Sequence, residues 1–388
     1  MGINDIVIYV MMGFMIVAGL DRCLFTISGK SAGLYDKFEE GFNAMGPLSL
    51  AMISTICIAP VLAAYLRPII TPVYELFGAS PAMFATTLIA CDMGGYALAM
   101  ELAGPANLEL GRFAGVILGS MMGPTIVFCI PVALGIIRVE DRVFLARGIL
   151  IGMITIPLGC FVGGLVQGLP VLLIVVNLIP VIIVAVLITL GLILVPAIMI
   201  RLFDIFGKCI LTFITLVLVC IAVETLTGAK LIVHVAADGT VTRMAPVYTA
   251  IDIIADIAII LAGAFPLVYV LTKYARKPLL AAGRALGVNE ISAAGFIASL
   301  ANTIPMFMMM KGMDDRGKVV NVAFAVSAAF LLGDHLGFVA GVERSMIFAM
   351  VAGKLTGGLT AVALAVLLFS RGKAAGFSPI SQPGKSRS

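Results

Sequence analysis

The sequence contains no tryptophan and few charged residues. Only 12% of its 388 residues are Asp, Glu, Lys or Arg, whereas 61% belong to the apolar set. Soluble domains carry about 25% charged residues, so this chain has too few charges to cover a soluble surface of its size. A surface that faces lipid needs no charges, and an integral membrane protein is therefore the expected class.

Several functional signatures are also missing. The sequence has no Walker A motif, no HExxH motif, no GxGxxG motif between a strand and a helix, and no His and carboxylate residues spaced as metal ligands. Its net charge is only +4, and the basic residues do not form the clustered face that binds nucleic acid. The seven cysteines form no CxxC pair, and we interpret them as small buried hydrophobic residues. We therefore expect no metal, no cofactor and no nucleic-acid partner.

Long apolar runs dominate what is present. A transmembrane helix needs about 20 mostly apolar residues, and we predict an all-α polytopic membrane protein with about 10–12 transmembrane helices. The start of the first run carries Asp5 and no basic residue, so we interpret this run as a retained helix and not as a signal peptide. The predicted spans are 3–20, 45–66, 81–102, 112–137, 143–168, 170–198, 205–226, 248–273, 290–311, 319–341 and 344–370.

The two halves of the sequence resemble each other. The motif LGSMMG in the first half corresponds to LGDHLG in the second, and two proline pairs are each twelve residues apart: Pro60 with Pro72, and Pro266 with Pro278. We predict two internal structural repeats, which we expect to be inverted, with a polar site between them near the membrane midplane. Glycine-rich apolar helices can also resemble each other by chance, and GxxxG often marks only close packing.

These features divide the chain into five segments. Basic residues near membrane spans favour the cytoplasmic side, which is where we place the polar C-terminal tail. The segments are 1–44 (first transmembrane helix and polar loop), 45–168 (first repeat), 169–247 (connecting helices and loop), 248–370 (second repeat) and 371–388 (disordered basic tail).

Each repeat contains two predicted interruptions of its helices. They lie at 91–95 and 119–125 in the first repeat and at 301–305 and 333–337 in the second. Interrupted backbone is tolerated only where protein or water replaces lipid, and its free amide and carbonyl groups can bind polar ligands. We therefore expect broken helices near the midplane, with a polar site where they meet.

Polar side chains lie within or beside these interruptions and form the predicted substrate-binding site. A charge at the bilayer centre costs about 2.5–3.5 kcal/mol, so a functional role is the first hypothesis for Asp92 and Asp334. Asp92 can alternatively cap a broken helix. His335 can relay protons or simply donate a packing hydrogen bond. The predicted binding residues are Asp92, Tyr96, Ser120, Thr125, Asn302, Thr303, Asp334 and His335.

Lys354 is the other unusual charge, because it lies about ten residues into the last predicted span. This position is too deep for the side chain to reach the interface easily. We expect Lys354 to pair with Asp92 or Asp334. It can serve with Asp334 and His335 as a proton relay, or as a buried ion pair that only fixes the packing of the helices.

Five long stretches of the sequence carry a family resemblance. They are MGINDIVIYVMM, FEEGFNAMGPLSLAM, ACDMGGYALAMELAG, ILGSMMGPTIVFCIPVALGI and MDDRGKVVNVAFAVSAAFLLGDHLGFVAGV. Together they resemble the ethanolamine-utilisation permease family, EutH, from residue 1 to about residue 370. The resemblance implies a multi-pass protein of the bacterial inner membrane that imports ethanolamine. It assigns no binding residues, and the 21–44 loop is short for the family.

The predicted site suits that substrate. Ethanolamine is mostly a cation at neutral pH and carries one hydroxyl, so it needs a carboxylate, a neutral polar partner and, for its ammonium, an aromatic face. Asp92 or Asp334 can supply the carboxylate, and Tyr96 the aromatic face. The candidate hydroxyl partners are Ser120, Thr125, Asn302 and Thr303.

Three functions remain open from the sequence. The first is a carrier for ethanolamine, and the second is a passive channel for a small polar solute. The third is a membrane enzyme that uses Asp252 and Asp256, which lie one helical turn apart on one face. That pair equally suits a watery interface at the start of a span. The sequence also leaves open whether the protein forms a homo-oligomer in the lipid bilayer.

Overall fold

The structure, a computed structural model, describes residues 2–372. Within that range the chain forms α-helices, short 3₁₀ and π turns, and one two-stranded hairpin. The predicted basic tail, from residue 373 onward, lies outside the described residues. The protein is therefore all-α in its membrane part, as predicted.

The helices follow one another with short connections, apart from the loop that contains the hairpin. The first part comprises α1 (Ile3–Ser28), α2 (Tyr35–Asn43), α3 (Met45–Glu75), α4 (Ala82–Leu88), α5 (Gly95–Ala103) and α6 (Leu108–Arg112). The middle part comprises α7 (Met122–Pro124), α8 (Ile130–Ile136), α9 (Arg142–Gln167), α10 (Val171–Leu194) and α11 (Pro196–Thr227).

The last part begins with an antiparallel hairpin and continues with helices. Strands β1 (Val233–Val235) and β2 (Val241–Arg243) pair with His234 opposite Thr242. The helices that follow are α12 (Val247–Ala285), α13 (Glu290–Ala301), α14 (Thr303–Met309), α15 (Asp315–Ala328), α16 (Asp334–Val342) and α17 (Ile347–Gly372).

Eight stretches of the described chain are long and apolar enough to cross a membrane, which makes this a multi-pass membrane protein. The other three of the eleven predicted spans, at 81–102, 290–311 and 319–341, are each divided between shorter helices. The eight stretches are Ile3–Ser28, Tyr35–Glu75, Pro105–Ile136, Val139–Gln167, Val171–Leu194, Arg201–Thr227, Val247–Tyr274 and Arg344–Leu368.

Each divided span contains a residue whose backbone dihedral angles lie outside the helical region. Gly94 has a φ of 98°, a conformation that glycine adopts without steric cost. Asn302 is extended, with φ −156° and ψ 144°. Phe330 has a φ of 60° and is the one described non-glycine residue with positive φ. Such a bulky residue is held there only by its surroundings.

Burial separates the peripheral spans from the central one. Only 11% of the apolar window of α1 and 17% of that of Arg201–Thr227 is buried, whereas 83% of the window in Pro105–Ile136 is buried. The first two spans expose large apolar side chains, such as Ile16 and Leu216, to the surroundings. The Pro105–Ile136 span therefore lies at the centre of the bundle, whereas α1 and Arg201–Thr227 lie at its edge.

Glycines allow α9, α15 and α17 to pack closely. A Cβ placed on Gly152 of α9 would lie 2.4 Å from the Cβ of Val326 in α15. A Cβ on Gly159 would lie 2.7 Å from the carbonyl oxygen of Gly353 in α17. Both distances are too short for any larger residue, so these helices approach backbone to backbone, which is the usual way that small residues join membrane helices.

We predict that Gly152→Ala lowers the stability of the folded protein by about 1–3 kcal/mol, because the new methyl group overpacks against Val326. The measurement is thermal unfolding of the purified protein in detergent. The matched control is Gly13→Ala in α1, since a Cβ at Gly13 meets nothing within 4 Å. Equal unfolding temperatures for the two variants would contradict the close contact of α9 with α15.

Candidate functional site

In each half of the chain, two irregular segments pack against one another. A Cβ on Gly123 would lie 2.2 Å from the carbonyl oxygen of Ile89, next to the end of α4. In the other half, a Cβ on Gly333 would lie 2.2 Å from the carbonyl oxygen of Ala301, at the end of α13. Only glycine permits such an approach, so each half contributes one compact region in which the helices are interrupted.

The two regions also contact each other. The Thr125 hydroxyl donates a hydrogen bond of 3.2 Å to the carbonyl oxygen of Val326 in α15. The Cys129 sulfur lies 4.0 Å from the hydroxyl oxygen of Thr303. These contacts place chain from both sequence halves around one buried space. The internal repeat itself, its orientation and its depth in the membrane remain predictions.

A cluster of four residues, which we name the central polar cluster, lies in this space: Asp92, Ser120, His335 and Lys354. His335 and Lys354 are almost completely buried, with 2% and 1% of their surfaces exposed. Nε2 of His335 lies 4.0 Å from a carboxylate oxygen of Asp92, and its Nδ1 lies 3.0 Å from Nζ of Lys354. Lys354 Nζ also donates a hydrogen bond to the main-chain carbonyl of Ser120. The cluster is thus a continuous row of polar groups that joins four separate segments.

A first cavity of about 60 Å³ lies on one side of Asp92. Asp92, Thr55, Cys91, Tyr96 and Phe338 contribute to its lining. The rings of Tyr96 and Phe338 meet edge to face, with centroids 5.8 Å apart. This cavity therefore combines one carboxylate, the hydroxyl-bearing residues Thr55 and Tyr96, and the aromatic pair of Tyr96 with Phe338.

A second cavity of about 50 Å³ is also lined by Asp92. Asp334, His335, Phe128 and Phe330 contribute to its lining, and the two phenylalanine rings meet edge to face at 5.6 Å. One water needs about 10–15 Å³ of such a cavity. Each cavity therefore holds only a few non-hydrogen atoms. Asp92 is common to both cavities.

Four of the predicted binding residues do not line these two cavities. The Ser120 hydroxyl donates to the carbonyl of Ile117 at 3.1 Å, and the Thr125 hydroxyl shares its one proton between the carbonyls of Met121, at 2.9 Å, and Val326. Ser120 reaches the cluster through its carbonyl, not through its side chain. Hydroxyls that satisfy backbone carbonyls in their own helix are ordinary in membrane helices, so nothing in these contacts assigns them to a substrate.

The other two residues outside the cavities are Asn302 and Thr303. Asn302 precedes α14, and its side-chain oxygen accepts a hydrogen bond of 2.9 Å from the amide of Ile304. It is therefore the N-cap of α14, a role that Asn commonly fills. Thr303 is fully buried beside Cys129. In contrast, Asp92, Tyr96, Asp334 and His335 do line the cavities.

The expected direct ion pair of Lys354 with Asp92 or Asp334 is not formed. No carboxylate oxygen of the described residues lies within 4.0 Å of its nitrogen, because His335 and the Ser120 carbonyl occupy the positions beside it. The Asp252 and Asp256 side chains are exposed on α12. They do not contribute to either cavity.

Three residues of the site have the chemistry of metal ligands. Single ligand atoms of Cys91, Asp92 and His335 all lie within 4.8 Å of one another, and zinc accepts all three residue types. Sequence spacing could not reveal this set, because His335 is remote from the other two residues in the chain. The amine of Lys354, 3.0 Å from the His335 ring, would repel a second cation when it is charged. The expectation that no metal is bound remains a prediction.

The sequence analysis missed several residues that line the cavities: Thr55, Cys91, Phe128, Phe330 and Phe338. Two of them carried a usable signal. Cys91 is adjacent to Asp92, and Phe338 follows Asp334 by one helical turn. The sequence gives no indication that Thr55 and Phe128 line a cavity, since they lie in regular apolar runs that are remote in sequence from the other lining residues.

Comparison of the whole chain with known families shows to which family it belongs. The model of the family described as "Ethanolamine utilisation protein, EutH" matches residues 3–368. The chain belongs to the EutH family. The match extends from α1 into α17, so it includes every residue of the central polar cluster. No solved structure matches the chain.

Curated EutH relatives cover nearly the whole chain. A protein of Listeria monocytogenes serotype 1/2a (strain 10403S) is 55% identical over 371 residues, which are 96% of this chain and 95% of that protein. A protein of Escherichia coli (strain K12) is 51% identical over 396 residues, with 95% and 96% covered. Each of these relatives is named "Probable ethanolamine permease EutH".

We predict that Asn302→Ala destabilises the protein by about 0.5–2 kcal/mol, because α14 loses its N-cap. Asn302→Ser is the matched variant, since its hydroxyl can accept the same hydrogen bond from Ile304. In detergent, wild type and Asn302→Ser are expected to unfold at similar temperatures, and Asn302→Ala is expected to unfold at a lower temperature. If the alanine and serine variants unfolded at one temperature, the capping role would be refuted.

Proposed function

We propose that this protein is a carrier that moves ethanolamine across the inner membrane of a bacterium. The family and the multi-pass architecture indicate a transporter and not an enzyme. The names of the EutH relatives support ethanolamine as the substrate. The observation on which the proposal depends most is that one carboxylate, Asp92, lines two small cavities.

Asp92 provides the charge that the substrate requires. Ethanolamine at neutral pH carries an ammonium, and a cation leaves water only where an anion or an aromatic face replaces its hydration. Each cavity offers Asp92 together with an edge-to-face aromatic pair, Tyr96 with Phe338 or Phe128 with Phe330. The two cavities therefore present the same recognition chemistry on either side of one residue.

Cavity size supports a substrate as small as ethanolamine, which has four non-hydrogen atoms. One water-sized group needs about 10–15 Å³ of cavity volume. The first cavity, at about 60 Å³, therefore has room for about the number of non-hydrogen atoms that ethanolamine contains. The Thr55 hydroxyl, which donates to the Ala51 carbonyl at 3.1 Å, can accept a hydrogen bond from the substrate hydroxyl. In the second cavity Asp334 can accept the same bond.

Carrier transport accounts for these cavities better than a passive channel does. A channel needs several weak sites along a continuous wet path, whereas these cavities share a single carboxylate and have mainly apolar walls. The enzyme hypothesis receives no support, since the exposed Asp252 and Asp256 lie outside the cavities. Lipid covers the exposed apolar faces of α1 and α11 in this proposal.

A proton relay through Asp334, His335 and Lys354 is a second hypothesis for the polar residues. The 3.0 Å contact of His335 with Lys354 would allow a proton to pass between them. Uptake that ignores an imposed pH gradient would exclude this relay. It would leave the carrier proposal unchanged.

We predict that Asp92→Asn reduces uptake of labelled ethanolamine by proteoliposomes about tenfold to a hundredfold at low substrate concentration. The reason is that a hydrogen bond to a charged group contributes about 1.5–3 kcal/mol, and about 1.4 kcal/mol corresponds to tenfold. Asp252→Asn, which removes an exposed carboxylate, is expected to leave uptake unchanged. Wild-type uptake by a well-folded Asp92→Asn protein would remove Asp92 from the binding site.

We also predict counterflow, because a carrier returns substrate through the same site that releases it. Proteoliposomes loaded with unlabelled ethanolamine should accumulate external labelled ethanolamine transiently above its equilibrium level. Liposomes that contain the Asp92→Asn protein are the control. Uptake that neither saturates nor shows counterflow would favour the channel.

A further inference from the structure

Lys354 occupies a position in which a transporter could bind an inorganic cation. Its side chain is 1% exposed, and its nitrogen donates to the main-chain carbonyl of Ser120. Ser120 ends a 3₁₀ turn, and Met121 after it has left the helical region with φ −122° and ψ −61°. Carbonyl oxygens at such interruptions coordinate Na⁺ in several transporter folds, so the ammonium of Lys354 contacts the kind of oxygen that such a cation uses.

The charges around Lys354 are nearly balanced by this one ammonium. Asp92 and Asp334 both line the second cavity, and His335 separates Asp92 from Lys354. When both carboxylates are ionised, the space that contains Lys354 lacks one positive charge for neutrality. One substrate ammonium supplies that charge. Without Lys354 the same space would carry two negative charges, and uncompensated buried charge is strongly unfavourable.

We propose that Lys354 is an internal cation that replaces a coupling ion, so that transport requires neither Na⁺ nor K⁺. This inference rests on the proposed transport of ethanolamine. It makes Lys354 a residue that decides which ions accompany the substrate, although its nitrogen does not line either cavity. It is the alternative to the proton relay, because it requires Lys354 to keep its proton throughout transport.

Removal of the lysine side chain should create a binding site for a small cation. In Lys354→Ala the Ser120 carbonyl loses its ammonium donor, and space opens beside it. A small cation such as Na⁺, K⁺ or methylammonium can then bind there and restore the balance of charge. Lys354→Met is the matched control, because it removes the charge and leaves no space for an ion.

The experiment compares uptake of labelled ethanolamine in media that contain NaCl, KCl, methylammonium chloride or tetraethylammonium chloride at one ionic strength. Wild-type uptake is expected to be the same in NaCl, KCl and tetraethylammonium chloride, and uptake in methylammonium chloride is compared with that of wild type in the same medium, because methylammonium competes for the ammonium site at Asp92. Lys354→Ala is expected to lose about tenfold or more in tetraethylammonium, which is too large for the site, and to recover in at least one of the other three media. Lys354→Met is expected to lose uptake in all four.

A second measurement does not depend on transport. The unfolding temperature of purified Lys354→Ala should rise with millimolar concentrations of the small cation that restores uptake, whereas wild type and Lys354→Met should show no such rise. If Lys354→Ala does not purify as a folded protein, Lys354→Ser serves in its place, since its hydroxyl adds a ligand for the cation.

Either of two results would overturn the proposal that Lys354 is an internal cation. One is wild-type uptake that requires Na⁺ or K⁺. The other is a folded Lys354→Ala or Lys354→Ser protein that responds to none of the small cations in uptake or in stability. If the wild-type protein moved no ethanolamine at all, the transport proposal would fail separately, and the unfolding measurement would still decide whether a cation replaces Lys354.

Discussion

The contact of the Lys354 ammonium with the Ser120 carbonyl is the constraint on which the rest of the centre depends. A lysine in an apolar core is stabilised by hydrogen bonds from its ammonium to nearby acceptors. The carbonyl at an interrupted helix provides one partner, and His335 provides another. His335 then faces Asp92, so the position of one buried amine determines how the imidazole and the carboxylate are arranged.

That contact requires α17 to lie close to the irregular segment near Ser120, and glycines make this approach possible. Gly353, which immediately precedes Lys354, lies against Gly159 of α9 with only 2.9 Å between its virtual Cβ and the Gly159 carbonyl. A Cβ on Gly159 would in turn come within 3.1 Å of the sulfur of Met121, next to Ser120. The same small residues therefore hold the bundle together and align the amine with its acceptor.

Predicted binding residues whose charge interrupts an apolar run line the cavities, whereas those whose polar groups bond to their own backbone do not, and the binding role of both sets stays a prediction. Asp92, Asp334 and His335 were predictable, because burying such groups without a role is unfavourable. Ser120, Thr125 and Asn302 looked equivalent in the sequence, yet their side chains bond to Ile117, Met121 and Ile304 in the same segments. Local geometry decides that difference, and hydropathy carries no information about it. Nothing in the sequence indicated that the backbone of Phe330 adopts a left-handed conformation.

The sharing of Asp92 between two cavities bears directly on how a cation could pass through an apolar protein. A substrate ammonium that moves from the side of Tyr96 to the side of Phe330 can remain near the same carboxylate throughout. Neither charge is then left alone in the apolar core, which would be the most unfavourable state along the path. When no substrate is bound, Asp92 still faces His335, whose other nitrogen lies beside the Lys354 amine. Asp92 is therefore not isolated in the absence of substrate, because the backbone contact at Ser120 holds Lys354, and through it His335, beside the carboxylate.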